Sequence, residues 1–175
     1  RGSNAVMDLT QRLERLESVQ RLLTDREEIR RLISRYARAI DEDLKSEQKA
    51  IFSDDVVSET RPWSEGREMR GKDAVLKSFQ SYIATFGNRR RFITNEQIDI
   101  ADENSATGWA NWLVLHAHGD DSYCGWGVYD WSFAQNKGIW EISRMVITVE
   151  CMTTLKDGWS DAENLIADYP GSKKD

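Results

Sequence analysis

Residues Ala106–Gln135, ATGWANWLVLHAHGDDSYCGWGVYDWSFAQ, decide the fold. Two runs, Ala106–His118 and Tyr123–Gln135, are rich in Trp, Tyr and Val and flank the turn-forming cluster Gly119-Asp120-Asp121-Ser122. With a period of two, successive side chains point to opposite faces, so each run reads as a strand with one face toward a core. The pattern extends outward on both sides. Arg91–Ile100 precedes it across Asp102-Glu103-Asn104, and Ile139–Met152 follows it across Asn136-Lys137-Gly138. Four long strands with three short connections form an antiparallel meander.

Upstream the period turns helical. In Thr24–Asp43, TDREEIRRLISRYARAIDED, the residues Ile29, Leu32, Ile33, Tyr36 and Ile40 make one apolar stripe, and Thr24 with Glu27 has the form of a capping box that starts the helix. Residues 7–23 read as a separate leading helix, with Leu9, Leu13, Leu16, Val19, Leu22 and Leu23 on a broad stripe suited to packing on its own domain or a neighbouring subunit. Ser46–Val57 reads as a short helix running into an extended segment, and Arg61–Arg70, with Pro62 and Gly66, as a loop. Gly71-Lys72 opens another helix, DAVLKSFQSYI, with Val75, Leu76, Phe79 and Tyr82 or Ile83 on its inner face. Helices followed by a meander give an α+β architecture, with helices against one face of a curved sheet. The organisation is a leader (1–23, of which Arg1-Gly2-Ser3 reads as a tag remnant), one domain (24–152) and a tail (153–175). In the tail Asp161–Ala167 reads as a short helical piece and Tyr169–Asp175 as loose.

Composition narrows the function. A net charge of −6 and a pI near 5.1 argue against a nucleic-acid partner, which would need a basic face. No apolar run approaches the ~20 residues that span a bilayer, and the N-terminus has no signal-like apolar region, so the expected location is the cytoplasm. Cys124 and Cys151 have neither metal nor redox spacing and read as reduced thiols. Seven Trp in 175 residues are the outlier, suited to a core, an interface or the lining of a pocket for a flat ligand.

Two residues of the central helix sit oddly for plain packing. Tyr36 puts a phenol in the apolar stripe, and Asp41 puts a carboxylate beside its end. Five positions at about 100° each set them ~140° apart, so both face one cavity only if the helix ends there. His116 and His118 share parity with Trp112 and Val114, and no further ligand completes a metal shell around them, so no metal is expected. Gly125 and Gly127 share a face with Tyr129 and Trp131, and glycine there leaves room beneath a ligand. Asp54 and Asp55 read as structural, orienting the start of the extended segment. There is no nucleophile elbow, phosphate loop or dinucleotide fingerprint.

The order and spacing of DREEIRRLISRYARAID, IFSDDVV, GKDAVLKSF, RFITN, GVYDWSF and GIWEISRMVI resemble the SnoaL-like polyketide cyclases of the NTF2-like superfamily, whose relatives include scytalone dehydratase and the bile-acid dehydratases. The resemblance spans roughly residues 20–150. It implies a cone of bent antiparallel sheet closed by helices around a deep pocket, chemistry without a cofactor, and a homo-oligomer, more often a trimer than a dimer. In the dehydratases a Tyr and an Asp five residues apart act on the substrate, and Tyr36 and Asp41 match them. Where the family keeps a His, two residues ahead of the aliphatic residue of RFITN, this chain has Arg91. An arginine cannot accept a proton but can hold an oxyanion, a phenolate or a carboxylate. Arg144 matches a pocket arginine of the bile-acid enzymes, and His116 is positioned to replace the missing base, as a second strand His serves scytalone dehydratase.

The expected function is therefore a cofactor-independent lyase, a dehydratase or C–C lyase, acting on a hydroxylated aromatic or polycyclic small molecule. Tyr36, Asp41, Arg91, Arg144 and His116 form the expected catalytic set. Trp112, Asn95, Tyr129, Trp131 and Phe52 are expected to contact the substrate. An isomerase or cyclase would use the same groups, and a non-catalytic small-molecule binder is the alternative that the missing His favours.

Overall fold

The computed structural model describes residues 2–64, 66–160 and 169–172, with side chains from residue 8 onward. Its first element is one helix, α1 (Gly2–Asp41), and not the two expected. Between Ser3 and Pro62 the chain contains neither Gly nor Pro, so nothing stops the helix at Thr24, and the capping box does not form. Ion pairs one turn apart, Arg31–Glu27 at 3.1 Å and Arg38–Glu42 at 3.0 Å, add modest support on the outer face. Along its length α1 has two characters. Leu9, Leu13, Leu16 and Leu23 are exposed, whereas Ile29, Leu32, Ile33, Tyr36 and Ile40 are buried against the sheet.

Asp43 in the left-handed region (φ 53°) turns the chain into α2 (Lys45–Ile51). Buried Gln48 ties α2 to its neighbours by donating to the Ala39 carbonyl (2.9 Å) and accepting from Gln80 (2.8 Å). Then come β1 (Phe52–Arg61), β2 (Met69–Arg70), α3 (Lys72–Thr85), β3 (Gly87–Ile100), β4 (Ser105–His118), β5 (Asp121–Asn136) and β6 (Ile139–Thr154). The segment read as a loop over Arg61–Arg70 thus closes with a two-residue strand on the edge of β1. The meander β3–β6 is as expected from the sequence. The spatial order is β2-β1-β6-β5-β4-β3, with β1 parallel to β6 and every other pair antiparallel.

Bulges at Thr94/Gln97, Trp126/Gly127 and Ser132/Phe133 bend these long strands around the helices. At the second bulge a Cβ on Gly127 would lie 1.9 Å from the Thr148 carbonyl oxygen, and one on Gly125 would lie 2.3 Å from Met152 Cε. The two glycines therefore admit neighbouring backbone and side chain, and the room expected beneath a ligand is already filled. Asp54 is exposed and pairs with Lys72 at 2.7 Å, pinning the start of α3 to β1.

Candidate functional site

The geometric condition set by Tyr36 and Asp41 is met: α1 ends at Asp41. Tyr36 is fully buried, and the Asp41 side chain is only 8% exposed. Both converge on Arg91, whose position on β3 faces the end of α1 and whose side chain is 5% exposed. Arg91 Nε donates to Asp41 Oδ1 at 2.9 Å, and the Arg91 backbone N–H donates to Oδ2 at 2.8 Å. Arg91 Nη1 then donates to the Tyr36 hydroxyl at 3.2 Å, which lies 3.0 Å from the Tyr129 hydroxyl. The guanidinium carbon also lies 5.5 Å from the ring centres of both Tyr36 and Tyr82, a cation–π arrangement. Arg89 braces the corner by donating to the Asp41, Ile83 and Phe86 carbonyls.

A buried carboxylate and guanidinium are retained only as a well-bonded pair, because either charge alone would be costly away from water. Asp41 accepts from Arg91 with both oxygens and so holds the guanidinium in place. Burial pushes the Tyr36 hydroxyl well above the usual tyrosine range. It therefore remains protonated and donates.

His116 lies on the same inner face. Its Nδ1 is 3.1 Å from the Tyr82 hydroxyl and its Nε2 is 3.0 Å from the Tyr169 hydroxyl. Burial, assisted by the nearby Arg91 and Arg89 charges, lowers its pKa to about 3, so the ring is neutral near pH 7. A neutral imidazole carries one donor and one acceptor, so one tyrosine donates to it and the other accepts. Tyr82, its pKa raised by burial to about 12, links this cluster to Arg91.

Of the expected substrate-contacting residues, Tyr129 and Trp131 stack at 4.7 Å, Trp112 lies 6.1 Å from Tyr129, and Phe52 meets the Tyr36 ring edge-on at 6.3 Å. The Trp112 N–H donates to the Val128 carbonyl, whereas the buried Trp131 N–H finds no acceptor among the described residues. Two expected participants, Arg144 and Asn95, lie elsewhere. Arg144 pairs with Glu68 at 2.8 Å and Glu59 at 3.9 Å in a surface hollow with Arg61, Arg67 and Arg70, because the Ser132/Phe133 bulge shifts the register beside it. Asn95 is exposed with φ 59° in the β3 bulge, and His118 is exposed with Nδ1 2.8 Å from the Thr85 carbonyl. The sequence reading missed Tyr82, Arg89, Phe86 and Tyr169. Tyr82 had a signal, standing at helical spacing from Val75 and Phe79; Tyr169, in the segment read as loose, had none. It is 3% exposed, while the helical piece expected at 161–167 lies outside the described residues.

Asp41 and Arg91 also line a cleft of about 390 Å³ between α1 and β3, bordered by Arg30, Arg38 and Glu96. Among the described residues, no three His, Cys, Asp or Glu side chains gather as metal ligands, and no helix is long and apolar enough to cross a membrane.

Residues 21–146 match the SnoaL-like domain family. The chain belongs to that family. In fold, this SnoaL-like protein is similar to a type 2 hexachlorocyclohexane dehydrochlorinase (18% identity, TM-score 0.71, covering 78% of this chain and 92% of the other). It is similar too to a putative scytalone dehydratase of Novosphingobium aromaticivorans (22%, TM-score 0.70, 77% and 90%). A cystatin-like protein of unknown function from Nostoc punctiforme shares the fold at 20% identity (TM-score 0.59, 73% and 92%). These likenesses show the fold, a SnoaL-like α+β cone. No curated protein matches the sequence significantly.

Proposed function

We propose that this SnoaL-like protein is a cofactor-independent lyase that removes water, or a small aldehyde, from a hydroxylated aromatic or polycyclic molecule. The observation that carries the reading is the buried chain Asp41–Arg91–Tyr36–Tyr129. It offers a guanidinium backing a hydrogen-bonded pair of phenols that keeps one O–H free to donate, an arrangement that stabilises negative charge developing on a substrate oxygen. The dehydratase and dehydrochlorinase named in similar structures perform eliminations, which agrees with it.

His116 strongly resists protonation and Asp41 is bonded to Arg91, so the site is better equipped as an acid than as a base. A substrate phenol supplies the missing push: loss of its proton sends electrons through the ring to expel a benzylic hydroxyl. That hydroxyl takes the Tyr36 proton and leaves as water, and the phenol proton restores Tyr36. Release of an aldehyde would follow dehydration by the reverse electron flow. A hydroxymethyl group on the carbon next to the benzylic one loses its O–H proton, its C–O bond becomes the aldehyde carbonyl, and the C–C bond pair returns to the ring, whose oxygen takes up the proton. The Trp131 N–H adds a donor for a ligand oxygen.

The test is a panel of hydroxylated benzylic alcohols followed by ultraviolet absorbance and mass spectrometry for loss of water or aldehyde. Tyr36→Phe should lower turnover by ~100-fold or more, the scale of losing a positioned acid, with the melting temperature little changed. Binding without turnover across the panel would favour the non-catalytic reading, which the commitment of Arg91 to Asp41 supports.

A further inference from the structure

Tyr169 is the one fully buried ring supplied by the chain after β6. The segment leading away from that strand is mostly solvent-facing: Leu155, Lys156, Asp157, Trp159 and Ser160 are exposed. Yet the Tyr169 ring sits against four separate elements. It stacks on Trp63, from the β1–β2 connection, at 4.8 Å and 29°, and on Phe86, at the end of α3, at 5.4 Å and 16°. Tyr123 of β5 meets it edge-on at 5.6 Å, and its hydroxyl reaches His116 Nε2 of β4 at 3.0 Å. Two flat walls and a polar floor at the far end of a six-membered ring are the features that recognise a phenol. The floor is pre-set, because Tyr82 holds the opposite ring nitrogen of His116, and burial together with the neighbouring charges keeps the imidazole neutral.

We propose that this slot, formed by Trp63, Phe86, Tyr123 and His116, is a binding site for phenolic ligands, and that Tyr169 occupies it as a tethered internal competitor. It rests on the aromatic-substrate reading above and adds to it the place of the ring. Tyr82 joins the slot to Arg91 and Tyr36, so a phenol bound on His116 would be coupled to the acid pair through that chain of contacts. A ligand must displace Tyr169 before it binds, and its apparent affinity falls by the fraction of molecules in which the slot is open.

The experiment titrates 4-methylphenol, with toluene as the control lacking a hydroxyl, into the full chain and into Tyr169→Phe and Tyr169→Gly, followed by ligand-observed NMR. Tyr169→Phe keeps the stack and loses the hydrogen bond; Tyr169→Gly removes both. Affinity for 4-methylphenol should rise from the wild type through Tyr169→Phe to Tyr169→Gly, by tenfold or more overall, and the phenol should exceed toluene by a similar factor. Equal affinity across the three proteins, or toluene binding as well as 4-methylphenol, would overturn the proposal. Should Tyr169→Gly fail to fold, a gain below threefold in Tyr169→Phe overturns it alone. The readout is binding, so the two readings separate. Turnover on the panel with no phenol in the slot rejects only this inference, and phenol binding with no turnover rejects only the lyase.

Discussion

Acid should destabilise this protein through one residue. The unfolded chain protonates His116 near the ordinary value of 6.5, but the folded protein resists until about pH 3, because burial and the charges of Arg91 and Arg89 oppose the imidazolium. The folded pKa is the lower one, so below pH 6.5 the unfolded state binds the extra proton and stability falls as pH falls. The loss approaches about 1.4 kcal/mol for each pH unit in that window, and by pH 5 it totals about 2 kcal/mol. Urea unfolding of the wild type at about pH 7.5 and pH 5 measures the whole change. The same pair of measurements on His116→Gln, whose amide offers a donor and an acceptor but does not titrate, removes this contribution and leaves the rest. The wild type should therefore lose about 2 kcal/mol more than the variant between the two pH values. A difference under about 0.5 kcal/mol would show that His116 titrates normally in the folded protein, and the neutral hydrogen-bonding hub would be refuted.

Arg91→Met strands a buried carboxylate and should cost about 3–5 kcal/mol of stability; combining it with Asp41→Asn should recover part of that, and strictly additive losses in a double-mutant cycle would deny the pair. Turnover, where the double variant folds, should still fall by 100-fold or more, because the cation backing Tyr36 is gone. On the leading half of α1, Leu9, Leu13 and Leu16 are 62%, 58% and 66% exposed, and we propose that this stripe joins copies of the chain, as a trimer more readily than a dimer. Light scattering should report a multiple of 20.2 kDa for the wild type and the single mass for Leu13→Glu/Leu16→Glu, and a wild type already monomeric at micromolar concentration removes the idea.

The fold was legible because the β3–β6 segments are long runs rich in strand-forming residues and their connections consist of turn residues. Within the site, Tyr36 and Asp41 stood out as polar groups against an apolar stripe, a local contradiction that the end of α1 resolves. The partnership of Arg91 with Asp41 was harder to see. Nothing in NRRRF marks which arginine turns inward, and the answer depends on β3 packing against the end of α1. Arg144 was expected inside from the family resemblance, and the register shift at Ser132/Phe133 accompanies its place in the surface hollow instead. Tyr169 was hidden for another reason: a lone aromatic in a polar tail has no period, and its burial depends on walls built by distant segments.

The parallel pairing of β1 with β6 governs how the chain must assemble. β6 comes last in the chain among the six described strands, yet it lies in the middle of the sheet, between β1 and β5. Before it emerges, the α1–β2 segment and the β3–β5 meander can each form local contacts, but no strand joins them. The site spans the same divide, since its hydrogen bonds connect residues 50, 55 and 93 positions apart. Such distant contacts slow folding, because the loops must close before any pairing rewards them. On the ribosome, the cone therefore closes and its interior forms only after β6 has emerged, with the exposed leucines of α1 already available to a neighbouring chain.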